Sequence, residues 1–153
     1  MSLFRNNDHS NGAQVNSLKV KGFYLFGSVG TGKTMLMDMF YNSIKYPTKR
    51  RTHFHSFMLD IHKRMHDHKQ FLLKTYGRDV HINMSSERDP IVYIASSISK
   101  ESRVLCFDEF QVTDVCDALI LRRLFNELWK NGVVLVATSN RPPKDLYLNG
   151  KLM

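Results

Sequence analysis

Eight residues near the start of the chain read Gly27-Ser28-Val29-Gly30-Thr31-Gly32-Lys33-Thr34. They fit the pattern G-x-x-x-x-G-K-[ST], and they lie between the apolar run KGFYLF at residues 21–26 and a helical pattern at residues 34–43. In that context the glycines let successive backbone N–H groups point at phosphate oxygens, and the start of the helix adds a partial positive charge. The stretch therefore predicts a phosphate-binding loop, in which Lys33 reaches the β and γ phosphates and Thr34 binds Mg²⁺.

Predicted strands and helices alternate along the chain on both sides of this loop. Apolar runs predict four strands, at residues 22–26, 52–58, 103–108 and 133–138, and residues 45–51 form a basic loop. Helices are predicted at 34–43 and 59–74, and two more are predicted to begin after the capping residues Asp89 and Asp114. This alternation predicts an α/β fold with a mostly parallel sheet and right-handed crossovers.

Helical spacing also predicts which side chains face the core. In the first helix the inward stripe is Leu36, Phe40 and Ile44. In the last helix the inward side chains are Val115, Ala118, Leu121, Phe125 and Leu128. Cys106 and Cys116 are both expected to be small buried residues of a reducing compartment rather than a disulfide pair.

The amino-acid composition of the chain is that of a single folded domain. The 153 residues are 42% apolar and carry a net charge of +8, with two cysteines, which excludes disordered, collagen-like and disulfide-rich classes. Val133 to Ala137 is the strongest apolar run, and it is too short to cross a membrane. Residues 1–18 contain neither a secretory signal nor an amphipathic presequence and are expected to be a disordered lead, which leaves 19–153 as the domain.

Three polar residues follow predicted strands at the edge where α/β sheets bind ligands. Asp108 is predicted to hold the Mg²⁺ shell, and Glu109 to orient and deprotonate the water that attacks the γ phosphate. Asn140 is predicted to contact that phosphate or that water. An acidic pair can instead cap a helix, and Asn140 can instead be a turn residue, but the upstream phosphate loop favours the catalytic interpretation.

Together these elements resemble the Walker A, Walker B and sensor 1 motifs of AAA+ ATPases. Longer stretches are similar to the AFG-like ATPase family, which includes the lactation-elevated type and ZapE ATPases: residues 30–38 (GTGKTMLMD), 53–58 (HFHSFM), 106–114 (CFDEFQVTD) and 137–143 (ATSNRPP). The resemblance covers residues 21–150. It implies a three-layer P-loop core that hydrolyses ATP with Mg²⁺, works as a homo-oligomeric ring on protein substrates, and serves mitochondrial protein quality control near the inner membrane in eukaryotes, or acts in the bacterial cytoplasm.

The sequence also departs from the family pattern. Its last residues stop where the family continues into an arginine-bearing segment, a fifth strand and a helical lid, so a truncated form is expected and the arginine finger stays unassigned. A non-catalytic ATP-binding module that joins full-length rings is one alternative. A nucleic-acid-directed protein of the helicase-loader kind, suggested by the basic charge, is another and is not favoured.

Weaker patterns leave further alternatives open. Four histidines, at positions 53, 55, 62 and 66, could gather as metal ligands, although packed or nucleotide-sensing roles suit them better. His55 or Ser56 is a candidate for a polar contact to Glu109. Phe57 and Met58 could form a substrate-gripping loop, but such a pair is more often core.

Overall fold

The computed structural model describes residues 2–3, 21–77 and 89–145. Its strands are β1 (Ser2–Leu3), β2 (Gly22–Phe26), β3 (Lys49–His53), β4 (Val104–Asp108) and β5 (Val134–Ser139). Its α-helices are α1 (Lys33–Ser43), α2 (Phe54–Tyr76), α3 (Pro90–Glu101) and α4 (Val115–Lys130), and a short 3-10 helix covers Pro143–Asp145. Within the described residues no helix is long and apolar enough to span a bilayer.

The sheet has the order β1-β2-β5-β4-β3, in which the last four strands are parallel and β1 runs antiparallel to β2. The predicted α/β fold with a mostly parallel sheet is therefore confirmed. Most of the predicted lead, residues 1–18, lies outside the described residues, and its described part, Ser2–Leu3, is paired with β2.

Two hydrophobic clusters cover the two faces of the sheet. The larger joins one face to α2, α3 and α4 and includes the fully buried Leu105, Ile94 and Leu121. The smaller lies under α1 and consists of Met37, Cys106 and Val136, with Phe40 packed against them. Burial on both faces explains why β4 and β5 are almost continuously apolar in sequence.

Local capping signals predicted two helix starts correctly. The Asp89 carboxylate accepts a hydrogen bond from the Ile91 backbone N–H at 2.9 Å, and Asp114 does the same for Cys116 at 2.6 Å. Each aspartate satisfies a backbone donor that has no partner within its helix. The last helix, α4, ends at Lys130, and Gly132 just beyond it adopts a positive φ of 78°.

The second strand and the helix after it were predicted wrongly. The strand covers Lys49–His53 instead of 52–58, so the last three residues of the predicted basic loop belong to it, and α2 already begins at Phe54. Phe54, Phe57, Met58 and Ile61 are all buried, and their spacing of three and four residues is that of a helix face. His53 is the last residue of β3, whereas His55 lies in the first turn of α2, so the two histidines do not share one strand.

The basic residues of β3 are tolerated because other elements supply their partners. Lys49 Nζ donates to the carbonyl oxygens of Tyr41 and Ile44, at 2.6 and 2.8 Å, and so caps the end of α1. Arg50 pairs with Asp60 on α2 at 3.2 Å. Both basic side chains therefore have hydrogen-bonding partners within the fold.

Three predicted core positions were also wrong. In α1 the fully buried side chain is Met37, whereas Leu36 is 48% exposed, so the buried stripe begins one residue later than predicted. In α4 Val115 is exposed while the other four predicted side chains are buried. Cys106 is buried as expected, but Cys116 lies exposed in the first turn of α4.

Candidate nucleotide-binding site

Strand register gathers the predicted site residues at one edge of the sheet. Phe26, which precedes the phosphate loop, pairs with Ser139 of β5, and Phe107 of β4 pairs with Ala137. Because β2, β5 and β4 are parallel neighbours, the loop, Asn140 and the Asp108-Glu109 pair all leave the sheet at its carboxyl edge. This edge is where open α/β sheets bind ligands.

The phosphate loop folds back on itself and delivers the chain into α1. Gly30 and Gly32 have φ angles of +84° and +78°, which L side chains rarely adopt. Gly32 is the N-cap of α1 and offers no side-chain cap, and the first turn of the helix contains no acidic residue. The first N–H groups of α1 are therefore free of competing side-chain acceptors, as an anion site requires.

Lys33 lies across this loop. Its Nζ donates to the carbonyl oxygens of Gly27 and Ser28, at 2.8 and 2.6 Å, and contacts the Thr31 hydroxyl at 3.3 Å. The ammonium group is thus held against the loop by neutral oxygen acceptors. A phosphate oxygen is a stronger acceptor for such a cation, so Lys33 can exchange these bonds for bonds to a nucleotide.

Asp108 ends β4 with its carboxylate on the α1 side of the sheet, and 16% of the side chain is exposed. Arg51 of β3 donates to both carboxylate oxygens, from Nε to Oδ2 at 2.6 Å and from Nη2 to Oδ1 at 3.2 Å. The third guanidinium nitrogen, Nη1, donates to Asp38 of α1. The hydrogen bonds that Arg51 donates to Asp108, and then to Asp38, raise the pKa of its guanidinium, which keeps the group charged.

Glu109 adopts a left-handed backbone conformation, with φ of +57°, and it is the one non-glycine among the described residues to do so. Its N–H donates to the Thr138 hydroxyl at 3.3 Å, and the next N–H, of Phe110, donates to the Thr138 carbonyl at 2.7 Å. The Ser139 hydroxyl donates to the Phe110 carbonyl at 2.7 Å. The end of β5 therefore holds Glu109, whose side chain is exposed, in a backbone conformation that costs about 1–2 kcal/mol.

Oxygen donors at this edge fit magnesium. Mg²⁺ prefers one or two carboxylate or hydroxyl oxygens together with waters and phosphate oxygens, and Asp108 with the exposed Thr34 supplies that set. In the described part of the chain no group of three or more His, Cys, Asp or Glu side chains could hold a metal ion by itself. The donor set thus suits a metal that arrives with a nucleotide, and the roles of Thr34 and Asp108 as its ligands stay predictions.

The histidines of the sequence pattern do not gather into one site. His53 ends β3, and His55 lies in the first turn of α2 with an exposed side chain. His62 pairs with Asp117 of α4, with 2.8 Å between Nε2 and Oδ1, and so links α2 to α4. Among the described contacts neither His55 nor Ser56 hydrogen-bonds to Glu109, so the suggested polar link to that residue is absent.

Phe57 and Met58 are core residues of α2 with 0% and 4% exposure, so they do not form a substrate-gripping loop. The sequence also missed the two positioning contacts, Arg51 on Asp108 and Ser139 on Phe110. The first joins β3 to β4 and the second joins β5 to the turn after β4, between residues 57 and 29 positions apart along the chain. No local sequence pattern indicates these contacts. Once the strand order is known, however, a basic residue in one strand beside a strand that ends in an aspartate would indicate the first of them.

A family model described as AFG1-like ATPase matches residues 6–152, nearly the whole sequence. The chain belongs to the AFG1-like ATPase family. This confirms the family resemblance and the P-loop type of the α/β core, while the assignment of Gly27 to Thr34 as its phosphate loop stays a prediction.

Three relatives show how widely this family segment occurs. Lactation elevated protein 1 homolog B of Danio rerio is 52% identical over 130 residues, covering 85% of this chain and 25% of the relative. A Schizosaccharomyces pombe protein is 53% identical over 132 residues, with 85% and 26% covered. The cell division protein ZapE of Escherichia coli is 43% identical over 131 residues, with 86% and 31% covered. The chain thus spans about a quarter to a third of the length of these relatives.

Proposed function

We propose that this AFG1-like chain binds ATP with Mg²⁺ and hydrolyses it to ADP and phosphate. The observation that carries the proposal is the meeting of three strand ends at one sheet edge, which brings together the phosphate loop, Asp108-Glu109 and Asn140. Membership of an ATPase family supports the same activity.

Each side chain has a role that follows from its position. Backbone N–H groups of the loop and of the start of α1 bind the phosphates, and Lys33 neutralises the β and γ oxygens. Thr34 and Asp108 hold the magnesium ion, which neutralises charge on the β and γ phosphate oxygens when bound. Glu109 accepts a proton from the attacking water, and Asn140 orients that water or the γ phosphate.

In the cell, we place this activity in the remodelling or quality control of protein substrates. Support comes from the vertebrate and bacterial relatives, one of which is named for cell division. Association into a homo-oligomeric ring, a mitochondrial location in eukaryotes and contact with the inner membrane belong to the same proposal. Protein substrates are favoured over nucleic acid because the basic side chains of Lys49, Arg50 and Arg51 already have partners within the fold.

The test measures Mg²⁺-dependent ATP binding and turnover by the purified chain at several protein concentrations. Lys33→Ala is expected to abolish binding, and Glu109→Gln to retain binding while abolishing turnover. Lys69→Ala, which removes an exposed lysine of α2, is the matched control and should behave as the parent. A turnover rate per chain that rises with protein concentration would support an oligomeric enzyme.

Three other results would change the proposal. ATP binding without turnover in the parent would favour the non-catalytic module that joins longer rings. Turnover stimulated by single-stranded DNA, with strong salt dependence, would favour the nucleic-acid-directed alternative. ATP binding that is the same in Lys33→Ala and the parent would refute the assignment of the site.

A further inference from the structure

Arg51 connects the two elements that carry the proposed magnesium ligands. It lies on β3, opposite Cys106 of β4, and its side chain extends along the α1 face of the sheet to Asp108. Its remaining guanidinium nitrogen, Nη1, donates to Asp38. Asp38 follows Thr34 by four residues in α1, so the two side chains lie on the same face of that helix.

Burial and geometry make this bridge specific at its Asp108 end. The side chains of Arg51 and Asp108 are 22% and 16% exposed, whereas Asp38 is 51% exposed. Two parallel hydrogen bonds from a planar guanidinium restrict rotation of the carboxylate, which a single donor would not do. The lone pairs of Asp108 that remain are then fixed in direction.

We propose that Arg51 is a positioning residue of the magnesium site, which holds the Asp108 carboxylate in the orientation that meets the metal and its waters. The inference rests on the proposed function, because it presumes a nucleotide-linked metal at Asp108. Carboxylates that bind metals are themselves oriented by hydrogen-bonding partners, and loss of such a partner lowers metal affinity about 10–100-fold. A purely electrostatic role would act in the opposite direction, since removing a cation beside a carboxylate favours a second cation.

Two substitutions separate orientation from charge. Arg51→Lys keeps the positive charge and loses the pair of parallel hydrogen bonds, while Arg51→Gln loses both the charge and that pair. Arg50→Gln is the matched control, because Arg50 is the adjacent residue of the same strand and pairs with the carboxylate of Asp60, away from the site. The readouts are the affinity of a fluorescent ADP analogue in EDTA and the Mn²⁺ affinity of the protein–ADP complex, measured by electron paramagnetic resonance.

Both Arg51 variants are expected to bind ADP in EDTA within about twofold of the parent and to lose about 10–100-fold in Mn²⁺ affinity. Arg50→Gln should change neither value. Mn²⁺ affinity that is unchanged in Arg51→Lys, or tighter in Arg51→Gln, would overturn the proposal by showing that only charge matters. Weaker ADP binding in EDTA would also overturn it, since Arg51 would then support the whole loop rather than the metal ligand.

A further variant keeps the test decisive if the Arg51 variants do not fold. Asp38→Ala removes only the more exposed end of the bridge and should lower Mn²⁺ affinity by a few-fold in a folded chain, while an unchanged affinity would count against the bridge. The parent distinguishes the two levels of inference. A parent that shows no metal-linked ADP binding would refute the proposed function as well, whereas metal-linked binding that is equal in the parent and both Arg51 variants would refute this inference alone.

Discussion

Replacing Ser139 by Ala removes the hydroxyl that fixes the turn after Glu109. Ser139 is 3% exposed, and its Oγ donates to the Phe110 carbonyl at 2.7 Å and accepts from the Arg141 N–H at 3.1 Å. Alanine fits the same space without either bond. The substitution therefore tests whether the end of β5 supports both stability and the catalytic turn.

The expected cost follows from these two contacts. A hydrogen bond within a protein contributes about 0.5–1.5 kcal/mol net, and a buried polar group left without its partner costs about 1–3 kcal/mol. Because the Phe110 carbonyl is in a buried residue while Arg141 is exposed, we expect a loss of about 2–3 kcal/mol in the free energy of unfolding. With a urea m value of about 2 kcal/mol per molar, the midpoint should fall by roughly 1–1.5 M.

Urea unfolding followed by circular dichroism measures this shift, and Ser43→Ala is the control. The Ser43 hydroxyl also donates to a carbonyl, that of Phe40 at 2.8 Å, but on the exposed side of α1, so its loss should stay within about 0.5 kcal/mol. In the ATPase assay Ser139→Ala should retain ATP affinity and lose roughly 10–100-fold in turnover, because Glu109 is no longer held in place. Equal midpoints for the two variants, or full turnover in Ser139→Ala, would refute the reasoning.

Three further predictions concern charge, thiol reactivity and packing. The hydrogen bond from Arg64 lowers the pKa of Glu101, so the pair stabilises the fold above the unfolded pKa of the carboxyl, and this stability is lost as the pH falls through the lowered pKa. Arg64→Gln should therefore flatten the fall of the urea midpoint below about pH 5, and an unchanged slope would contradict this. Burial raises the pKa of the Cys106 thiol to about 11, while Cys116 is exposed. A thiol reagent should therefore label Cys116 alone in the folded chain and neither position in Cys116→Ser, and fast labelling of both cysteines would contradict the structure. Leu121→Ala, at a fully buried position of α4, should cost about 2–5 kcal/mol by urea unfolding, and a loss below 1 kcal/mol would show that this helix is loosely packed.

Features set by neighbouring residues could be predicted from the sequence. Asp89 and Asp114 cap the helices that follow them through contacts only two residues long, and the phosphate loop carries its whole pattern in eight positions. The strands β4 and β5 were predictable because burial on both faces leaves continuous apolar runs. In each case the physical cause and the sequence signal lie in the same short segment.

Features that depend on distant partners could not be predicted. The basic start of β3 resembles a loop until Asp60, Asp108 and the end of α1 are known to receive its side chains. The burial of Met37 instead of Leu36 depends on its packing against Cys106 and Val136 of the sheet, since both residues suit an apolar helix face equally well. Tertiary contacts override local preference at such positions, as they commonly do.

The end of β5 makes the two halves of the candidate site depend on each other. On one side the Ser139 carbonyl accepts a hydrogen bond from the Gly27 N–H, at 3.3 Å, where the phosphate loop begins. On the other side Thr138 receives the N–H groups of Glu109 and Phe110. One strand end therefore fixes both the start of the loop proposed to hold the phosphates and the residue proposed to activate water. Because the strained backbone of Glu109 is held by those bonds, a substitution in β5 can impair hydrolysis without touching ATP, which is why loss of turnover with retained binding is the expected signature of Ser139→Ala.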